Sequence, residues 1–205
     1  TQLEDGSMRI EFLDDCSTNM PDFMISNGGG IVFIEPGDEL YINATLEGPT
    51  GANYIRWWVE LAFNAAIPNV RIPISQYIGD VGDRVLVSNA YNQLPQGEYK
   101  IVLDIEQFLR DYDEANDTEY YNAVFGSGGA YLTNIRFCLA TNDQKTDTDN
   151  DYGFVLHEAS IYREESTDPE PPVDTTILEV PVDTLDGWYA SGTEGWGMSL
   201  EDSDY

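Results

Sequence analysis

Tyr54-Ile-Arg-Trp-Trp-Val-Glu-Leu-Ala-Phe63 is the stretch that decides the fold class. Read with a period of two, it places Trp57, Val59, Leu61 and Phe63 on one side and Arg56, Trp58, Glu60 and Ala62 on the other. That is a strand with one apolar face and one face that mixes aromatic, cationic and anionic groups. Trp58 flanked by Arg56 and Glu60 has the chemistry of a ligand platform. An indole plane packs on the C–H groups of a sugar ring, and the two charges bond its hydroxyls. The competing reading makes Trp58 core on a second face and Arg56–Glu60 an ordinary same-face pair. Tyr41, Tyr54, Tyr91, Asn89 and Lys100 are candidates for the same face or its rim.

Outward from this segment the chain is strands and turns. Met8-Arg-Ile-Glu-Phe12 alternates, and Gly28-Gly-Gly30 breaks the chain before Ile31-Val-Phe-Ile34. Pro36-Gly-Asp38 turns into Glu39-Leu-Tyr-Ile-Asn-Ala-Thr-Leu46, which puts Leu40, Ile42, Ala44 and Leu46 on one face. Val70-Arg-Ile-Pro-Ile74 carries Pro73 and so belongs at a sheet edge. Arg84-Val-Leu-Val-Ser88, Glu98 to Ile105, Tyr131 to Ala140 and Gly153 to Tyr162 complete the set, with a short helix expected between Glu106 and Asp113. Gly- and Pro-punctuated strands with almost no helical periodicity predict an all-β fold, an antiparallel β-sandwich of jelly-roll type with an extended C-terminal tail.

The sandwich is expected to occupy residues 1–165. Ser166-Thr-Asp-Pro-Glu-Pro-Pro-Val-Asp-Thr175 is proline-rich and acidic, an extended linker that buries no core. Residues 176–205 are too few to fold alone. They dock on the sandwich, pair with another chain, or open a following β module. The expectation is the last, because Ile177-Leu-Glu-Val-Pro-Val182 reads as a first strand.

Thirty-eight Asp and Glu against nine Lys and Arg give a net charge of -29. Such a surface repels nucleic acid and anionic membranes and leaves neutral ligands, cations or basic proteins as partners. No stretch is long and apolar enough for a membrane span, and Thr1 with no Met suggests a processed or trimmed start. Cys16 and Cys138 either close a disulfide between an early and a late strand, worth about 4–5 kcal/mol in the loop-entropy model, or are two buried thiols. The disulfide is the expectation, and with it a secreted or cell-surface setting.

Three further clusters carry chemistry. Asp147, Asp149 and Asp151 stand at alternate positions of Asp147-Thr-Asp-Asn-Asp-Tyr-Gly153, where carboxylates can converge on a structural Ca²⁺. The other reading is a solvated acidic hairpin tip. Glu11, Asp14 and Asp15 near the start, with Glu158 near the end, form a second potential calcium clip if first and last strands adjoin. Tyr112, Tyr120, Tyr121, Phe125 and Tyr131 lie amid Gly and Asp, either as an adaptable recognition loop or as rings folded under their own loop. The single His157 has no nucleophile at a readable spacing, so no catalytic triad is expected. Phosphate-cradling glycine motifs and Cys/His zinc spacings are absent from the sequence.

The paired Trp57-Trp58 strand, Gly97-Glu-Tyr-Lys-Ile-Val-Leu-Asp104, Leu132-Thr-Asn-Ile-Arg-Phe-Cys-Leu139 and Gly153-Phe-Val-Leu-His-Glu-Ala-Ser-Ile-Tyr162 together resemble a carbohydrate-binding module of the jelly-roll type. The resemblance implies aromatic rings that stack on sugars, a structural Ca²⁺, and attachment to a secreted protein. It departs from the family where His157-Glu158 replaces an aspartate in the final strand. The expected function is non-catalytic polysaccharide binding. The alternative is a structural or adhesive subunit of an extracellular fibre, capsid or surface layer, self-associating through 176–205. A small hydrolase with two acids across a cleft ranks third.

Overall fold

The computed structural model describes residues 7–12, 22–47, 53–74, 94–141, 153–165, 173–181, 188–191 and 196–200. Two antiparallel sheets pack face to face, as the alternating segments require. Along the chain run β1 (Met8–Phe12), β2 (Asp22–Ser26), β3 (Val32–Ile34), β4 (Glu39–Glu47), β5 (Asn53–Phe63), β6 (Val70–Pro73), β7 (Leu94–Pro95) and β8 (Gly97–Asp104). Two helices follow, α1 (Ile105–Asn116) and α2 (Tyr120–Phe125). The chain then forms β9 (Ala130–Thr141), β10 (Gly153–Glu165), β11 (Val173–Glu179), β12 (Trp188–Ser191) and β13 (Trp196–Leu200).

The first sheet has the order β13-β1-β10-β4-β8, and β11 also pairs with β10. The second has the order β12-β2-β9-β5-β6, with β3 on β9 and β7 on β5. Long central strands share one edge between two shorter partners. β4 covers β10 from Gly153 to Tyr162, while β1 takes 153–156 and β11 takes 160–165 of the opposite edge. β6, with Pro73, lies at the edge of its sheet, where a residue lacking an N–H does no damage to the ladder.

The core sits between the sheets and follows the period-two reading. Leu40, Ile42, Ala44 and Leu46 of β4 face Trp57, Val59 and Leu61 of β5, and all are buried. Trp57 meets Phe154 edge-on at 5.1 Å, and Phe154 in turn meets Phe137. In β10 a bulge at His157 shifts the inward set from Phe154 and Leu156 to Ala159 and Ile161. The same bulge brings Glu158, Ser160 and Tyr162 onto the outer face.

Helix α1 begins where the notation of the sequence favours it. Asp104 at the N-cap accepts from the Gln107 amide at 2.9 Å, and Ile105, Phe108 and Leu109 form one buried stripe. Asp104→Ala is expected to cost about 1 kcal/mol, read as a shift in the urea midpoint with unchanged slope. No shift would mean that another group satisfies the Gln107 amide.

The tail differs from expectation. Residues 173–179, 188–191 and 196–200 do not open a separate module. They add β11 to β10, β12 to β2 and β13 to β1 of the same sandwich. The reason is apolar burial: Val180 and Trp188 enter the common core, with Trp188 at 5.8 Å from Phe137. Strand β11 also starts inside the segment read as linker, and residues 166–172 lie outside the described residues. So does the strand expected at 84–88. Strand β2 lies outside the segments that the sequence marks as strands.

Candidate functional site

The mixed face of β5 is a buried polar cluster, and Trp58 is not an open platform. Its ring is 8% exposed and forms a small second cluster with Cys138. The register explains this. Trp58 lies between Pro73 of β6 and Cys138 of β9, and Glu60 lies between Arg71 and Arg136. Glu60, 4% exposed, is held by Arg71 Nε at 2.9 Å and Arg136 Nη1 at 3.7 Å. It also accepts from Trp58 Nε1 and Asn69 Nδ2, both at 3.4 Å. Flanking arginines on both neighbouring strands turn Glu60 inward to a structural ion pair, which leaves no carboxylate for a ligand. Arg56 and Tyr54 belong to β5, but their side chains lie outside the described residues, as do Asn89 and Tyr91.

The Tyr-rich segment between Tyr112 and Tyr131 is helical over much of its length, with its rings turned under the fold. Tyr120 stacks on Tyr112 at 5.5 Å and 16°, and Arg110 covers the Tyr121 ring at 3.7 Å. The Asp113 carboxylate fixes this by accepting from the Tyr120 and Tyr121 amides, each at 2.8 Å, at the start of α2. Tyr120 and Tyr121 are therefore half-buried packing residues. Tyr131 is exposed, but it stands edge-on against Phe33 at the β3–β9 margin.

Most of the residues expected to bind calcium lie outside the described residues. Among the described residues, no group of three His, Cys, Asp or Glu is placed to hold a metal. Asp147, Asp149 and Asp151 lie outside the described residues, as do Asp14, Asp15 and the Glu11 side chain. Register separates the second proposed clip: Glu11 opposes Gly153, which pairs with Glu47, whereas Glu158 pairs with Asn43. Four residues of β4 span about 13 Å, too far for one ion. Cys138 is buried beside Trp58, and its expected partner Cys16 lies outside the described residues, so no disulfide is seen.

His157 has a nucleophile in reach after all, supplied by the pairing of β1 with β10. Its Nδ1 lies 2.9 Å from Ser7 Oγ, and its Nε2 lies 2.8 Å from Thr45 Oγ1. Ser7 is only 2% exposed. A hydroxyl that no substrate can approach reads as a bond that seats the bulge, not as a catalytic dyad.

An open groove lies on the other sheet. A groove of about 390 Å³ on the outer face of β8, β4 and β10 is lined by Glu39, Tyr41, Val102, Glu158 and Tyr162. Register builds it. Val102, Tyr41 and Ser160 form one row across the three strands, and Asp104, Glu39 and Tyr162 form the next. Lys100, Asn43 and Glu158 form a third row. Three strands at about 4.8 Å make a face about 10 Å wide. Tyr41 and Tyr162 stand nearly perpendicular, centroids 6.3 Å apart at 71°, so one ring offers a face beside the other's edge. Val102 is 58% exposed between them and the sheet edge. Glu158 accepts from the Tyr162 hydroxyl at 3.0 Å and from Ser160 at 3.2 Å, which fixes the phenol. Lys100 bonds Glu98 at 3.1 Å, and that hydrogen bond raises its pKa.

Of these residues the sequence singled out Tyr41, Lys100 and Glu158, but for other sites. Tyr162 and Val102 escaped notice, although Tyr162 shares a face with Glu158 by simple alternation. No family model matches the chain, and no curated protein and no solved structure matches it.

Proposed function

We propose that this chain is a non-catalytic carbohydrate-binding module of a secreted protein, and that polysaccharide lies across the outer face of β8, β4 and β10. The observation that carries this reading is the Tyr41–Tyr162 pair over an open groove with carboxylates at hand. Sugar C–H groups pack on a phenol face, while hydroxyls donate to Glu39 and Glu158. An open face suits a long polymer passing through, and weak single-site binding gains strength when modules are linked.

Strand order supports the jelly-roll part of the reading. Counting β1, β2, β4, β5, β6, β8, β9 and β10 as first to eighth, first pairs with eighth, second with seventh, third with sixth and fourth with fifth. That is the nesting left when one long hairpin wraps into two sheets. Among the described residues no helix is long and apolar enough to cross a membrane.

The test is a broad glycan array, then affinity electrophoresis on the best polymer. Tyr41→Ala is expected to weaken binding about tenfold, and Tyr41→Ala with Tyr162→Ala to abolish retention, while the melting temperature holds. By contrast, Trp58→Ala should lower stability with no selective loss of binding. An array on which nothing binds the intact protein would end the carbohydrate reading.

A further inference from the structure

Narrowing the carbohydrate reading on which it rests, we infer that the ligand of this groove is an amino-sugar polymer with free ammonium groups. Among the described residues its lining holds two carboxylates, two phenols and one valine, and no cationic side chain. Among the described residues the groups bonded to Glu158 are the hydroxyls of Ser160 and Tyr162, both neutral donors that bring no countercharge. Lys100, in the same row, is held by Glu98. Asn43 Oδ1, opposite Glu158 in register, is buried with no hydrogen-bond partner among the described residues.

A face of acceptors calls for a donor that brings positive charge. An ammonium has three donors and no acceptor, and it is attracted to the faces of phenol rings as well. A neutral sugar brings no positive charge to Glu158 as the groove fills, and an acidic sugar adds like charge. The net charge of -29 acts in the same direction at longer range, concentrating cationic polymers and repelling uronic or sulfated ones. A basic peptide shares the charge but not the flat C–H surface that a paired-tyrosine platform receives.

Titration calorimetry of the full chain tests this with three probes: β-1,4-linked glucosamine oligomers, the same oligomers fully N-acetylated, and oligolysine of equal charge. The measurements are made at mildly acidic pH, where sugar amines carry protons. The glucosamine oligomer should bind at least about tenfold tighter than its acetylated form, and added salt should weaken it. Glu158→Gln keeps the acceptor for Ser160 and Tyr162, so the fold should hold while affinity falls about tenfold. Glu114→Gln, an exposed change on α1, should leave affinity unchanged.

Equal or tighter binding of the acetylated oligomer overturns the inference and leaves the carbohydrate reading standing. Oligolysine binding with the same sensitivity to Tyr41→Ala also overturns it, in favour of a peptide ligand. Glucosamine binding that ignores both Glu158→Gln and Tyr41→Ala overturns it as attraction to the overall charge. If no glycan binds at all, both readings fall together.

Discussion

Arg163→Met is expected to cost about 3–5 kcal/mol, the usual result of stripping one partner from a buried ion pair. Asp38 is fully buried, and Arg163 reaches it with Nε to Oδ1 and Nη2 to Oδ2, both 2.8 Å. The same guanidinium holds Glu35 at 2.6 Å and donates to the Phe33 carbonyl. Asp38 in turn accepts from the Glu35 amide at 2.8 Å, and its carbonyl accepts from the Ile105 amide at the start of α1. One arginine of β10 thus ties the β3–β4 turn to the start of α1. Asp38 raises the Arg163 pKa chiefly through the hydrogen bond, so the stabilisation tied to that shift is in place at neutral pH and is lost as pH rises through the guanidinium's own titration. Loss of Arg163 leaves a buried carboxylate with one backbone donor. For a chain of this size the melting temperature should fall by about 10 °C. Asp38→Ala should cost less, since Arg163 is partly exposed and keeps Glu35. A fall of only a degree or two for Arg163→Met would mean that water replaces the pair at no cost.

Ending the chain at Glu165 should be as damaging. It removes β11, β12 and β13, which cover edges of β10, β2 and β1. It also strips Trp188, packed on Phe137 and bonded through Nε1 to the Pro181 carbonyl at 2.6 Å. Trp188→Ala alone should cost about 3–5 kcal/mol. The shortened chain adds bare sheet edges that template association, so it should sediment as aggregates or unfold at much lower urea than the full chain. A shortened chain that stays monomeric with an unchanged urea midpoint would show that these strands are dispensable.

The site was less legible than the fold. Trp58 and Glu60 looked like surface chemistry because alternation tells which residues share a face, not whether that face is covered. Pro73, Cys138, Arg71 and Arg136 come from other parts of the chain, and pairing alone sets them beside β5. Sequence alone offers Tyr41 for the Trp58 face or its rim, yet it lines the groove on the opposite sheet. Tyr162, Glu158 and Val102 lie more than fifty residues from Tyr41 in the chain, and no local pattern links them to it. The bulge at His157 was equally hidden. It reverses the alternation within β10, so the outward position of Glu158 follows only from the register with β4.

Composition and period-two patterning by themselves determined that this is an antiparallel sandwich with Leu40, Ile42, Trp57 and Leu61 in its core, carrying a large negative net charge. These are properties of each segment and of the summed charge, set by local sterics and solvation. Tertiary structure alone decided that 173–200 complete the sheets, that Trp58 is sealed, and that the exposed aromatic groove lies over β8, β4 and β10. Each depends on which strand lies beside which, and pairing energy is spread over contacts between distant residues that no single window of sequence contains.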